Sequence, residues 1–188
     1  MFRFRMLIIS GALGLLGQAY MTAQSVEIFG GATVSNMKPA NNYNSLTTSG
    51  WSASITGYPV RRVGLTADFA GYYGTVRPAS SSTSQSKFDV RQYSFMAGPQ
   101  LRLFRKGPLE TRFRATFGAA HGYVPGYYSL DKTKFAALFG TNFDFNVSRR
   151  VALRFSPGLY LTQFGGETQR NFRFSIGPVF RFGSNEAN

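Results

Sequence analysis

His121 is the only histidine in the 188-residue sequence, so any acid–base or triad chemistry that needs an imidazole must run through it. One histidine and a few scattered carboxylates show no metal-ligand spacing. The sequence has no cysteine, which removes thiol catalysis, disulfide staples, cysteine metal sites and a lipoprotein attachment point. No cofactor is expected. The residue types left with a chemical task are charged ones. Glu27, Asp68, Glu110 and Asp144 fall on the same face of their segments as Arg102, Arg112, Arg114, Arg154, Arg173 and Arg181, and on one face such groups form a mixed-charge network.

The elements that position them are strands. After the first two dozen residues no segment repeats its apolar residues every 3.6 positions; the period is two. At 172–182, Phe172, Phe174, Ile176, Pro178, Phe180 and Phe182 share one face, against Arg173, Ser175, Gly177, Val179 and Arg181. From Val151 the pattern repeats, with Val151, Leu153, Phe155, Pro157, Leu159 and Leu161 opposite Ala152, Arg154, Ser156, Gly158, Tyr160 and Thr162. Further candidates cover roughly 25–35, 48–60, 62–74, 89–104, 109–122 and 133–147. This predicts an all-β fold, an eight-stranded antiparallel up-and-down transmembrane β-barrel, each strand reaching the roughly 9 to 11 residues a tilted strand needs to cross a bilayer.

The connections alternate in length. Short ones surround Pro59-Val60-Arg61, Phe104-Arg105-Lys106-Gly107-Pro108 and Val147-Ser148-Arg149; long polar ones run from Ser35 to Thr48, Thr75 to Phe88, Ala120 to Lys132 and Phe164 to Arg170. Short periplasmic turns and longer outer loops are the outer-membrane pattern, and an even strand number puts both chain ends in the periplasm. Each short turn carries a dibasic pair, Arg61-Arg62, Arg105-Lys106 or Arg149-Arg150, suited to anionic headgroups at the periplasmic rim. A faint internal repeat aligns Arg61-Arg62-Val63-Gly64-Leu65 with Arg149-Arg150-Val151-Ala152-Leu153, and Tyr93–Leu103 with Phe172–Phe182. Duplication of four strands and the shared physics of barrel strands account for it equally well.

Residues 1–23 have the layout of a secretory signal: Arg3 and Arg5, an apolar stretch from Met6 to Leu16, then small residues, with cleavage after Ala19 or Ala23. The barrel domain then spans 24–183 and a short tail 184–188. The formal charge of +13 falls by two to +11 when Arg3 and Arg5 leave. An exported basic chain rarely meets nucleic acid, so an anionic membrane surface is the expected partner, and a monomer the expected state.

A soluble lipocalin-like barrel also alternates, with its apolar face inward around a ligand. The polar face decides between them, because Gly64, Gly98, Gly118, Gly140, Gly158 and Gly177 sit on it among arginines and acids. Inside a narrow barrel such glycines are expected to make room for long charged side chains. Eight strands leave an interior that side chains fill, so a plugged, ion-paired barrel is expected. The alternative is a narrow anion-permeable pore lined by the arginine excess.

The run Ser175-Ile176-Gly177-Pro178-Val179-Phe180-Arg181-Phe182 resembles the terminal targeting signal of outer-membrane barrels, polar-x-Gly-x-x-aromatic-x-aromatic. The departure is that six residues follow the last aromatic. Over the mature length the chain resembles the small outer-membrane β-barrel family that includes the OmpA transmembrane domain and OmpX-type proteins. Phe135–Gly140 through Asp144, with Arg149–Arg154, is similar to the porin-family β-barrel domain.

The resemblance implies residence in the bacterial outer membrane and recognition of Ser175, Gly177, Phe180 and Phe182 by the barrel-assembly machinery. No peptidoglycan-binding domain is expected after strand eight. The family includes lipid A deacylases and acyltransferases, but the deacylase pattern of a serine two residues after the histidine is absent, since position 123 is Tyr. His121 is read as a rim or loop residue and the chain as a non-enzyme. Trp51, Tyr72, Tyr73 and Tyr93 are read as interface girdles. Pro99, Pro157 and Pro178 predict bulges or weakened pairing. Asn41–Asn44 and Ser80–Ser86 read as solvated loops or, alternatively, a surface for an extracellular ligand.

Overall fold

The structure is a computed structural model that describes residues 25–37, 46–76, 88–123, 132–163 and 168–183. The proposed export signal, the loops Asn41–Asn44 and Ser80–Ser86, and the tail lie outside the described residues. Eight strands follow in chain order: β1 (Ser25–Met37), β2 (Leu46–Tyr58), β3 (Val63–Val76), β4 (Phe88–Lys106), β5 (Leu109–Tyr123), β6 (Lys132–Asn146), β7 (Val151–Thr162) and β8 (Gln169–Gly183). Each pairs antiparallel with its sequence neighbours, and β8 pairs back onto β1 to close a barrel. The shortest, β7, has 12 residues. At about 3.3 Å per residue and a tilt of roughly 40° it rises about 30 Å, enough to cover a membrane's apolar band.

Alternation along the strands fixes which face is which. On β8, Arg173, Ser175, Gly177, Val179 and Arg181 are buried, while Phe172, Ile176, Pro178, Phe180 and Phe182 are exposed on the outer wall. The same sidedness exposes Leu65, Phe95, Phe117 and Leu159 and buries Asp68, Arg114 and Arg154. An apolar outside around a polar inside is the reverse of a water-soluble barrel, so the lipocalin-like alternative falls. Among the described residues, buried apolar side chains cluster in two groups, one around Met96, Leu138, Tyr72 and Tyr160, the other Phe29, Ala152 and Val179.

The hairpins between β2 and β3, β4 and β5, and β6 and β7 lie at one end of the barrel, where β1 begins and β8 ends. β4 is longer than the sequence suggested: Arg105 pairs with Glu110 and Lys106 with Leu109, so this basic pair ends the strand and the turn is Gly107-Pro108 alone. Gly107 has φ +57°, the left-handed conformation that a two-residue hairpin requires. The irregularity that accommodates it is a register shift between Arg102 and Phe104.

The prolines act as expected on pairing, though no bulge forms at them. Pro99 pairs with Leu65 of β3, but the β4–β5 ladder lapses between Ala97–Phe117 and Gln100–Arg114. Pro157 pairs with Phe174 of β8, and the β6–β7 ladder lapses between Gly140–Gly158 and Phe143–Phe155. Pro178 pairs with Leu153, and the β8–β1 ladder lapses between Phe29–Val179 and Ala32–Ile176. The residue numbers resume in step after each lapse, as expected when a proline removes a donor without inserting a residue.

The inward glycines serve a different purpose from the one read in the sequence. A Cβ on Gly98 would collide with the backbone of Ala115 and Thr116, and one on Gly177 with Gly30 and Gly31. Gly64 faces the Tyr58 ring, whose nearest carbon would lie 2.8 Å from an added Cβ. The room is for neighbouring backbone, a tyrosine ring and, at Gly158, the Leu138 side chain, not for arginine side chains.

Candidate functional site

The charged residues of the inner face converge because the barrel is narrow and alternate positions on every strand point to its axis. Nearest the short hairpins, Arg102 stands 3.6 Å from Glu27 and 3.6 Å from Glu110, with its guanidinium carbon 3.7 Å from the centre of the Tyr58 ring. Arg181 reaches Glu110 at 3.3 Å and Asp144 at 2.9 Å, and also donates to Asn146. One level deeper, Arg112 donates to Glu27 at 2.9 Å and to Glu110 at 2.8 Å, and binds Asp144 as well. Arg154 donates through Nε and Nη2 to the two oxygens of Asp144, at 2.7 and 2.9 Å, and through Nη2 to Glu27 at 3.0 Å. Three acids and four arginines are thereby cross-linked.

A second, separate cluster lies toward the opposite end. Asp68 on β3 accepts from Arg114 of β5 at 2.9 Å and from Arg173 of β8 at 2.7 Å. Asp68, Arg114 and Arg173 are all buried. Buried charges of this kind are tolerated only when each is paired and its remaining protons find acceptors. Arg114 meets part of that need by donating a further bond to Ser156 Oγ at 2.9 Å, while its Nε has no acceptor among the described residues.

Between the clusters runs a chain of neutral side chains that the sequence reading did not single out. Ser156 donates to Asn142 Oδ1 at 2.6 Å, Asn142 donates to Gln100 Oε1 at 2.9 Å, and Gln100 donates to the Tyr58 hydroxyl. The chain starts at Arg114 and ends beneath Arg102, so it ties one ion cluster to the other. Its signal was available in strand parity, since Gln100 alternates with outward Pro99 and Leu101, and Ser156 with Phe155 and Pro157. Above the Asp68 cluster, Tyr72 and Tyr160 stack with ring centroids 5.8 Å apart, and Gln92 donates to the Tyr160 hydroxyl at 2.8 Å.

Tyr72 is thus not a girdle residue. It is fully buried in the interior, as its neighbour Tyr73 on the outer wall requires. Trp51, Tyr73 and Tyr93 do face outward together: the Trp51 indole lies 3.4 Å from the Tyr73 hydroxyl, and the Tyr73 and Tyr93 rings meet edge to face at 6.2 Å. His121 stands beside Tyr93 in the ladder and pairs its Nδ1 with Thr133 Oγ1 at 3.0 Å. It borders a shallow apolar depression of about 340 Å³ on the outer wall, lined by Trp51, Phe69, Tyr93, Phe95 and Ala119. Among the described residues no group of three or more His, Asp or Glu side chains could hold a metal ion.

Of the terminal signal residues, Ser175 and Gly177 face inward and Phe180 and Phe182 outward, on the strand that pairs with β1. The six basic rim residues are all exposed at the short-hairpin end.

No protein-family model matches the chain. No curated protein sequence matches it either. Solved structures do. Neisserial surface protein A (NspA) aligns with a TM-score of 0.66 at 14% identity, covering 84% of this chain and 97% of that one. OprG, an outer membrane protein from Pseudomonas aeruginosa, aligns at 0.60 and 12% identity, covering 87% and 98%. Ail, the attachment invasion locus protein of Yersinia pestis, aligns at 0.57 and 16% identity, covering 85% and 99%. With its closed antiparallel wall, polar interior and apolar outer belt, the chain has the fold of the small eight-stranded outer-membrane β-barrels and the surface of a barrel embedded in a membrane.

Proposed function

We propose that the protein is an integral component of the bacterial outer membrane whose interior is closed by paired charges, and that it serves as a structural or surface-exposed module and not as an enzyme. The observation that carries this reading is the two ion clusters joined by the Arg114–Ser156–Asn142–Gln100–Tyr58 chain, which occupy successive levels of the interior. Each of the four acids accepts from at least two arginines, so the interior is cross-braced from several sides. Such a network resists the rearrangement that passage of a solute would need. The test is conductance of the purified protein in planar bilayers. Silence is expected; steady, anion-selective current would overturn the closed interior in favour of a narrow pore lined by the six arginines that exceed the four acids.

The names of two of the similar structures, a surface protein and an attachment invasion locus protein, agree with a surface role in which the long connections meet an extracellular partner. A rival reading starts from His121 and Thr133, 3.0 Å apart beside the apolar depression, as an acid–base couple acting on a lipid. It predicts lipid A deacylase or acyltransferase turnover lost in His121→Ala.

Ser175, Gly177, Phe180 and Phe182 are proposed as the contact for the barrel-assembly machinery. Two exposed aromatics at the end of the strand that closes the barrel support this. Replacing Phe180 and Phe182 together with alanine should slow insertion in cells while leaving refolding into detergent intact.

A further inference from the structure

The three short hairpins share a feature that the interior network does not use. In the first, exposed Val60 precedes Arg61 and Arg62; in the second, exposed Phe104 precedes Arg105 and Lys106; in the third, exposed Val147 lies just before Arg149 and Arg150. Val60 is 57% exposed, Phe104 58% and Val147 70%. None of the hairpin segments 59–62, 104–108 and 147–150 contains an aspartate or glutamate. The same couple, one apolar side chain and two cations, therefore recurs three times around one end of the barrel.

The backbone under these cations is fixed. The Arg62 carbonyl accepts the Arg102 N–H at 2.9 Å, and the Arg150 carbonyl accepts the Arg181 N–H at 2.8 Å. Arg102 and Arg181 occupy equivalent places in the internal repeat, so both dibasic turns are held by the same bond to an interior arginine that directly precedes an exposed apolar residue, Leu103 or Phe182. Arg61 also receives a bond at its carbonyl from Arg102 Nη1 at 3.0 Å, and the third turn is tightened by Val151 N–H donating to Ser148 Oγ at 3.1 Å. The cationic ends thus project on long stems from anchored positions at the lower border of the apolar belt.

A rim built for water or for a hydrated polymer would have no use for an exposed valine or phenylalanine beside every cation pair. A membrane interface has a use for both: the apolar side chain enters the acyl region, and the cation extends along its stem to the phosphate level. Arginine matches a phosphate with two parallel N–H donors, and five of the six cations are arginines. We propose that this rim is a docking surface for anionic phospholipid headgroups of the inner leaflet, each hairpin holding phosphate through its dibasic pair. The proposal rests on the transmembrane reading above and on the short hairpins facing the periplasm.

The test uses the full chain in phosphatidylcholine vesicles and measures association of spin-labelled phosphatidylglycerol against spin-labelled phosphatidylcholine with identical acyl chains. The wild type should prefer phosphatidylglycerol, by about fivefold for each cation engaged at low salt, with the preference falling as salt screens it. It should vanish when Arg61, Arg62, Arg105, Lys106, Arg149 and Arg150 are all changed to glutamine. It should survive Arg91→Gln with Arg170→Gln, which removes two exposed cations nearer the other end. If the sixfold variant does not close, the three double variants, each checked by heat-modifiable mobility, should each lose part of the preference. Equal association of both lipids with a closed wild-type barrel, or a preference unchanged by the substitutions, would overturn the proposal while leaving the transmembrane reading standing. Failure to enter vesicles of any composition would instead overturn that reading. Binding to purified peptidoglycan that depends on the same six residues, without any lipid preference, would assign the rim to the cell wall and overturn the proposal. Because the chain has no cysteine, Ser148→Cys gives a single label site, and its reaction with an impermeant maleimide from outside intact cells would overturn the inner-leaflet assignment.

Discussion

Arg154 of β7 reaches past β8 to Glu27 of β1, 3.0 Å away and 127 positions apart in sequence. The contact joins strands that are not ladder neighbours, so it braces the barrel across its closing edge. Glu27 is also held by Arg112 from β5, which makes it the meeting point of widely separated parts of the chain.

Asp68→Asn should be the most damaging of the acid-to-amide changes. Asp68 balances two buried arginines, Arg114 and Arg173, and losing it leaves both without a counter-charge. A broken buried pair costs about 3 to 5 kcal/mol. Glu110→Gln should cost clearly less, because its side chain keeps 12% exposure at the rim and Asp144 still serves Arg112 and Arg181. Urea unfolding in vesicles measures both, and equal losses would contradict the two-cluster description.

Adjacent glycines on β1 should respond in opposite ways to alanine. Gly30 faces outward with nothing within 4 Å of an added Cβ, whereas at Gly31 the methyl would strike the Ile176 carbonyl. Gly30→Ala should be neutral or stabilising by up to about 1 kcal/mol, and Gly31→Ala destabilising by about 1 to 3 kcal/mol. Denaturation midpoints of the two variants test it; a tolerated Gly31→Ala would mean the β8–β1 approach is looser than described.

The neutral chain between the clusters should matter to both. Asn142→Leu removes the donor to Gln100 and the acceptor for Ser156 while keeping a similar volume. Leaving those two buried groups unsatisfied should cost about 1 to 3 kcal/mol for each. Coupling appears in a double-mutant cycle with Tyr58→Phe: a strictly additive result would show that the chain does not act as a unit.

Outer-membrane fractions should contain the protein, and it should migrate faster unheated than boiled, since a closed barrel withstands detergent until heated. Recovery as a soluble, heat-indifferent species would contradict the membrane-embedded surface seen in the fold.

Much of this was readable from alternation. Strand parity in β8 separated Arg173 and Arg181 from Phe172 and Phe180 without any structure, because a pleated strand sends neighbours to opposite sides. The same rule, applied to Tyr72 and Tyr73, would have prevented assigning both to one girdle. What alternation does not contain is distance along the axis. It placed ten charges inside but did not divide them into a cluster around Asp68 and a cluster around Glu27 and Asp144, which depends on register between strands far apart in sequence. Nor did it give the reason for Gly98 or Gly177, since close approach of a neighbouring backbone depends on how tightly the sheet curls. The ends of β4 were misjudged because Arg105 and Lys106 look like turn residues, while the Gly107-Pro108 hairpin lets the strand run two residues further.

The three proline lapses have a mechanical consequence. They fall at the β4–β5, β6–β7 and β8–β1 boundaries, while the ladders within β1–β2, β3–β4, β5–β6 and β7–β8 run unbroken. The β2–β3 ladder is also continuous where it is paired, so the wall is a stiff four-strand panel, β1 to β4, and two stiff ribbons, joined along three compliant seams. At one seam a side-chain bond from Ser156 to Asn142 spans the stretch where the main chain does not pair, and beside another Thr33 and Ser175 hydroxyls lie 2.9 Å apart. Amide protons flanking the seams should therefore exchange with solvent deuterium sooner than those inside the panel, and a barrel pulled open in unfolding should part along these lines first.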